Sequence, residues 1–289
     1  MSEKQAPVSV IIPCYRCAES VGRAVASVAA QTLVPAEVIL VDDGSGDGTV
    51  ERLQALSAGY QDGWVRVLEL PDNCGPGTAR NAGWEKATQQ YVAFLDADDS
   101  WHRRKVELQY LWMEANPFVV LTGHACFLID DAGSEKLNMR LQRNEVSFRY
   151  VSPLQCLVSN RFPTRSVMLK RGLPHRFAHG KRHSEDFLLW CDICLDGYSC
   201  CRSEAGLAFM YKAPYGEGGL SKDLWKMQKG QMDTYIRLRR SGRVTWLSLP
   251  PLLVWSVMRF ARRLIIKGAR SIYPFLFVAK VLGRRKCRP

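Results

Sequence analysis

Apolar runs of six or seven residues recur through the first hundred positions, each followed by room for a helix. Residues 8–13 (VSVIIP), 37–43 (EVILVDD), 64–70 (WVRVLEL) and 91–96 (YVAFLD) read as strands. Residues 18–31, 49–57, 78–88 and 103–114 carry the longer mixed pattern of helices. Short apolar strands separated by helices predict a largely parallel sheet covered on both faces, an α/β fold.

The second half is less regular. Residues 118–130 predict one or two strands, 152–159 a short helix and 165–171 a strand. Residues 184–195 form an almost wholly apolar helical stretch, which predicts burial. A strand over 206–212, a mobile glycine-rich loop over 215–221 and a long polar helix over 223–240 complete the pattern.

Charge changes the picture only near the end of the chain. The 289 residues carry 40 Lys and Arg against 28 Asp and Glu. Of the basic residues, 14 lie beyond Asp233, where no acid occurs, so residues 1–233 hold 26 basic and 28 acidic side chains. The basic excess belongs to the tail. Within it Ser256, Arg259, Arg263, Lys267 and Arg270 fall on one helical stripe, with Leu253, Trp255, Val257, Phe260, Leu264, Ile265 and Ile266 covering the rest. Residues 273–286 add a second apolar patch ending in basic residues. A cationic amphipathic helix with Trp and Phe points to an anionic membrane surface, and packing of the helix on the body is the alternative. No nucleic-acid-binding motif is present. No signal peptide is read, because 8–13 is too short for one, and no apolar run reaches the ~18 residues of a spanning helix. The ten cysteines include the C-x-x-C pairs Cys14/Cys17 and Cys191/Cys194. In so long a chain they read as reduced thiols, with a zinc site as the minor alternative.

Two acidic clusters follow predicted strands: Asp42-Asp43, and Asp96, Asp98 and Asp99 in LDADD. Ligands of open α/β sheets bind beyond the carboxyl ends of strands. Acids this close repel, so a cation should balance them. Asp-x-Asp on a turn suits a hard divalent ion that completes its shell with water and phosphate oxygens. Alternatively, Asp98, Asp99 and Ser100 cap the next helix. In SEDFLLW, Ser184 reads as a cap and Glu185 and Asp186 as first-turn acids, set at the mouth of a helix too apolar to lie exposed.

The motifs VSVIIPCYR, VILVDDGSGDGT, GPGTARNAG and YVAFLDADD occur in an order and spacing that resemble the inverting family 2 glycosyltransferases with the GT-A fold. The resemblance is close over about residues 6–115, looser to about 215, and weak beyond. It implies a nucleotide-sugar-binding half over 1–115 and an acceptor-binding and catalytic half over 116–240, while the basic amphipathic pattern makes 241–289 a membrane-associating tail. It further implies that Pro13 and Tyr15 line the base pocket and that Asp43 accepts the uracil N3–H. Arg80 is expected near the nucleotide, with a surface ion pair as its alternative. Asp96 is expected at the ribose and near the metal, and Asp98 as a ligand of Mn²⁺ or Mg²⁺. Asp186 is implied as general base, with Glu185 beside it on the acceptor side.

The expected reaction is one inverting transfer from a UDP-sugar to a hydroxyl of a lipid-linked or polysaccharide acceptor. The expected location is the inner face of a bacterial plasma membrane, held peripherally by the tail. The Q-x-x-R-W motif of processive relatives is absent, which favours addition of single sugars. A nucleotidyltransferase and a catalytically silent scaffold are the competing functions. No basic glycine-rich triphosphate signature follows the first strand, and both Asp98 and Asp186 are present.

Overall fold

The computed structural model describes residues 5–129, 146–212 and 223–272, with side chains to residue 267. They fall in two compact units, one within Met1–Lys212 and one within Ala213–Pro289.

In the first unit β1 (Ala6–Cys14), α1 (Val21–Ala29), β2 (Pro35–Asp43), α2 (Thr49–Ala58), β3 (Val65–Leu70), α3 (Pro76–Lys86) and β4 (Tyr91–Phe94) alternate as the apolar runs predict. They are followed by β5 (Ser100–Trp101), α4 (Lys105–Ala115), β6 (Val119–Leu128) and β7 (Phe148–Tyr150). Then come α5 (Pro153–Val158), a 3₁₀ turn (Thr164–Ser166), β8 (Met168–Lys170), α6 (Glu185–Leu195) and β9 (Ser199–Met210). The strands form one sheet in the order β3-β2-β1-β4-β8-β6-β9-β5, with β7 also paired to β9. β3, β2, β1 and β4 are mutually parallel, whereas β8 runs antiparallel to both β4 and β6.

Both faces of the parallel part are covered. Val8, Val10 and Ile12 of β1 join Val38 and Leu40 of β2 in a buried cluster with Val21, Ala24, Val25 and Val28 of α1. Ile11 and Val41 point to the opposite face, against α3, where a Cβ added to Gly83 would come within 2.6 Å of Ile11. Strands buried on both sides read as unbroken apolar runs, which is why the pattern was legible here.

The chain order reverses between β1 and β4, whose neighbours lie on opposite sides. That switch point opens a crevice beyond their carboxyl ends. Tyr15 follows β1, Asp43 ends the neighbouring β2, and Asp96 lies just beyond β4.

The second unit pairs α7 (Leu224–Arg240) with α8 (Leu249–Ile272). The long polar helix expected in the catalytic half therefore groups with the tail. Leu252, Ser256 and Phe260 of α8 are buried. Phe260 meets Trp225 with ring centroids 4.7 Å apart, and Ser256 Oγ accepts from Gln228 Nε2 at 2.9 Å. Ser256, expected on the polar stripe with the basic residues, lies instead on the face packed against α7. Val254, Trp255, Val257, Met258, Leu264 and Ile265 are left exposed. The expected loop at 215–221, the patch at 273–286 and the side chain of Arg270 lie outside the described residues.

Candidate active site

The turn after β2 is built around its two acids. Asp42 is spent locally: its carboxylate accepts from Ser45 N at 3.0 Å and from Ser45 Oγ at 2.5 Å. Asp43 reaches across to the next loop, where Cys74 N and Gly75 N donate to it at 2.9 and 2.8 Å. Burial raises its pKa, partly offset by those two backbone N–H groups and by Arg182. Gly44, at φ 64°, allows the close approach, since a Cβ there would lie 2.6 Å from the Asp72 carbonyl carbon. Beside this turn Tyr15 is 44% exposed, with the Arg16 guanidinium 5.2 Å from its ring centroid. Pro13 is half-buried at the end of β1. Arg182 lies over Gly75 and donates to Asn73 O at 2.5 Å.

The acids after β4 are balanced from three directions. Arg80 of α3 is buried and forks between Asp96 Oδ1 at 2.8 Å and Glu185 Oε1 at 3.0 Å. Arg165 sits 3.4 Å from Asp96 Oδ2 and makes a close ion pair with Asp99. Lys212 pairs with Asp98 Oδ2 at 2.9 Å, while Arg23 donates to the Asp98 carbonyl at 2.8 Å. Burial alone would raise the Asp96 pKa, but Arg165 and Arg80 outweigh it and hold the group below the usual range. Asp99, with one guanidinium to share, is pushed up to about 8 by burial against the pull of Arg165.

None of these acids caps the following helix. α4 begins at Lys105 with no side-chain cap, and Ser100–Trp101 instead pairs with β9. Arg80, expected near the nucleotide or in a surface pair, is buried with both terminal nitrogens on Asp96 and Glu185.

The α6 terminus differs from its expected form. Ser184 takes a left-handed conformation, φ 56°, and makes no side-chain cap. A non-glycine residue held there is strained, and such strain gathers at functional sites. Asp186 is oriented from outside the helix: its Oδ2 accepts from Asn160 Nδ2 at 2.8 Å and from Thr164 Oγ1 at 3.2 Å. Its Oδ1 accepts from Phe187 N at 2.7 Å. Glu185, 7% exposed, is pushed up to about 7 by burial and by the neighbouring Asp186, against the pull of Arg80. Through Arg80 the pair Glu185-Asp186 is joined to Asp96.

Among the described residues no cluster of three or more His, Cys, Asp or Glu side chains could hold a metal ion. Asp98 is nevertheless a fit donor for a hard divalent ion. Its side chain is 37% exposed, and its counter-ion Lys212 is itself 59% exposed and free to swing away. An ion taking one carboxylate and completing its shell with water and diphosphate oxygens suits this arrangement. Asp96 has both oxygens on guanidinium groups, so metal or ribose contact there requires one of those pairs to open. The nine described cysteines are all free thiols.

Sequence reading missed Arg165, Lys212, Asn160 and Thr164. Each lies far along the chain from the acid it serves, and no local pattern marks it.

The protein thus has a sheet with acids at its switch point and a second acid pair joined to the first by a buried arginine. Its α/β fold is GT-A-like: the structure of Staphylococcus aureus TarS 1–349 with UDP-GlcNAc matches at TM-score 0.65 and 18% identity, over 89% of this chain and 72% of that one. The mannosyltransferase PcManGT of Pyrobaculum calidifontis, in complex with GDP-Man and Mn²⁺, matches at TM-score 0.61 and 19% identity, over 98% of this chain and 81% of its own. The glycosyl transferase family 2 model matches residues 9–179, more than half of the sequence. The chain belongs to that family and is a glycosyltransferase. Among its relatives is the Escherichia coli UDP-Glc:α-D-GlcNAc-diphosphoundecaprenol β-1,3-glucosyltransferase WfgD, 27% identical over 232 residues, which are 78% of this chain and 84% of WfgD.

Proposed function

We propose that this glycosyltransferase moves one sugar from a UDP-sugar to a hydroxyl of a lipid-linked or polysaccharide acceptor in bacterial envelope glycan assembly, with inversion. The observation that carries the reading is the orientation of Asp186 by Asn160 and Thr164, at a helix mouth joined through Arg80 to the acids of the donor side. WfgD, by its name, uses a UDP-sugar and a diphosphoundecaprenol acceptor, which supports the same substrate classes here.

The exposed Tyr15 ring stacks the base, and Asp43, fixed by two backbone N–H groups, keeps lone pairs for a uracil N3–H. Asp98 would hold Mn²⁺ or Mg²⁺, which when bound neutralises charge developing on the diphosphate leaving group. Asp96 is held ionised beside it by Arg80 and Arg165, close to the ribose. On the acceptor side Asp186 takes the proton of the attacking hydroxyl. Asn160 and Thr164 keep its Oδ2 aimed, and Glu185 sets the charge around it. A hydroxyl entering opposite the leaving group gives inversion in one displacement.

The test separates the two sides. UDP is titrated calorimetrically into the parent, Asp98→Asn and Asp186→Asn with and without Mn²⁺, and turnover is measured in parallel. Asp186→Asn should lose about 10²–10⁴ in rate with UDP affinity unchanged. Asp98→Asn should lose the Mn²⁺-dependent part of UDP affinity. Loss of UDP binding in Asp186→Asn would overturn the assignment of that residue as base.

A further inference from the structure

Beside α5 and the antiparallel pair β7–β9 lies a pocket of about 380 Å³ walled by Arg149, Tyr150, Gln155, Arg161, Arg202 and Glu204. Arg149 of β7 and Arg202 of β9 are directly opposed partners in the ladder, so their side chains leave the sheet on the same face. Like charges in opposed positions are destabilising unless something negative lies between them. Glu204 supplies one negative charge, pairing with Arg202 at 2.5 Å, but it is 82% exposed. Arg161 brings a third guanidinium from the loop after α5.

Two of these arginines, Arg161 and Arg202, are not part of a solvated basic face. The Arg202 side chain is only 19% exposed, and the Nε atoms of Arg161 and Arg202 are buried with no hydrogen-bond partner among the described residues. Buried guanidinium donors ordinarily have acceptors. The pocket walls therefore carry three cations against one acid, an excess of two positive charges. A phosphate or diphosphate matches that excess, and the planar forks of arginine bind its oxygens in pairs. A sugar carboxylate, with one charge, leaves the excess half balanced.

The place of the pocket says which phosphate. Arg161 follows Asn160, the residue that orients Asp186. None of Tyr15, Asp43, Asp96 or Asp98, the donor-side groups, lines it. We propose that Arg149, Arg161 and Arg202 form a subsite for the phosphate or diphosphate of the acceptor, anchoring an isoprenyl-linked sugar beside Asp186. This rests on the acceptor-side reading of Asp186, but it is tested by binding alone.

The experiment is calorimetry on the full chain with saturating UDP, which fills the donor site, titrating a short isoprenyl diphosphate and, separately, inorganic pyrophosphate. Both should bind the parent, the isoprenyl form at least as tightly, with affinity falling steeply between about 50 and 200 mM salt as it does for multi-arginine phosphate contacts. Arg161→Gln and the pair Arg149→Gln/Arg202→Gln should each lose tenfold or more for both probes, with UDP affinity unchanged. The double variant removes opposed like charges, so its melting temperature should hold or rise. Arg149→Gln alone, at an exposed position, serves should the pair fail to fold. Unchanged affinity in the variants overturns the subsite. Binding of pyrophosphate without isoprenyl diphosphate shows a site for free phosphate and overturns its role in holding a lipid-linked acceptor. Because UDP binding and the turnover of Asp186→Asn are read separately, failure here leaves the general-base assignment standing or falling on its own data.

Discussion

Glu185 and Asp186 are neighbours with different surroundings. Asp186 receives three hydrogen bonds, whereas Glu185 is buried and accepts from Arg80. With its pKa near 7 in the folded chain and 4.5 as the ordinary value, Glu185 binds a proton in the folded state that the unfolded chain releases. Its contribution to stability is thus fully present below about pH 4.5 and is lost as pH rises through about 7. Glu185→Gln keeps an acceptor for Arg80 and cannot ionise. Its melting temperature should therefore gain on that of the parent between pH 5 and 7.5. Parallel melting profiles for the two proteins across that range would show that Glu185 does not titrate there. At this scale the acids themselves were legible, because carboxylates after apolar strands stand out in any sequence. What neutralises them was not: Arg80, Arg165 and Lys212 lie 16, 66 and 114 residues from Asp96, Asp99 and Asp98. Only the folded topology brings those charges together.

Elements whose burial is uniform were legible, and elements with mixed faces were not. β1, β2 and β4 are buried along nearly every residue, so they appear as apolar runs. β9 runs from Ser199 to Met210, yet only its apolar half was read, because Arg202, Ser203 and Glu204 interrupt the first half. Arg202 and Ser203 are paired on both sides, to β6 and β7, and tertiary pairing overrides their weak strand preference. β5 and β7 are two and three residues long, too short to leave a period. The α3 helix shows the opposite case, a polar-looking GPGTARNAG segment with a demanding packing face. Gly83 lets it approach β1 and β2 so closely that a methyl group would sit 2.6 Å from Ile11 and 3.1 Å from Val41. Gly83→Ala should therefore be overpacked and lose about 1–3 kcal/mol, against the small gain in helix propensity. Chemical denaturation measures it. A variant as stable as the parent would mean that α3 can move off the sheet without cost. Because α3 also carries Arg80, the same shift should lower activity.

For the whole molecule, the proposed lipid-linked acceptor raises the question of how the enzyme would reach it, since no described helix is long and apolar enough to cross a membrane. The second unit offers a surface for this. Packing on α7 buries the line Leu252, Ser256 and Phe260, which leaves Val254, Trp255, Val257, Met258, Leu264 and Ile265 exposed on α8. Trp246 and Leu247, just before it, are 69% and 89% exposed. The apolar face is thus not consumed by packing, and the surrounding chain from Thr234 onward has no acid to repel anionic lipid. Each large apolar side chain moved out of water contributes about 1.5–3 kcal/mol before ordering costs, and each cation near anionic lipid about 1 kcal/mol. A few of each give reversible but substantial adsorption. Co-sedimentation with anionic and neutral vesicles tests it on the full chain and on Trp255→Glu/Met258→Glu/Ile265→Glu, a variant altered only at exposed positions. The parent should bind anionic vesicles strongly and neutral ones weakly. Raising salt to 1 M, where the Debye length is about 3 Å, should remove the electrostatic part and leave the apolar part. The triple variant should lose both, because its acids desolvate badly and oppose the lipid charge. If it sediments like the parent, α8 is not the anchor, and acceptor encounter must rest on another surface of the chain.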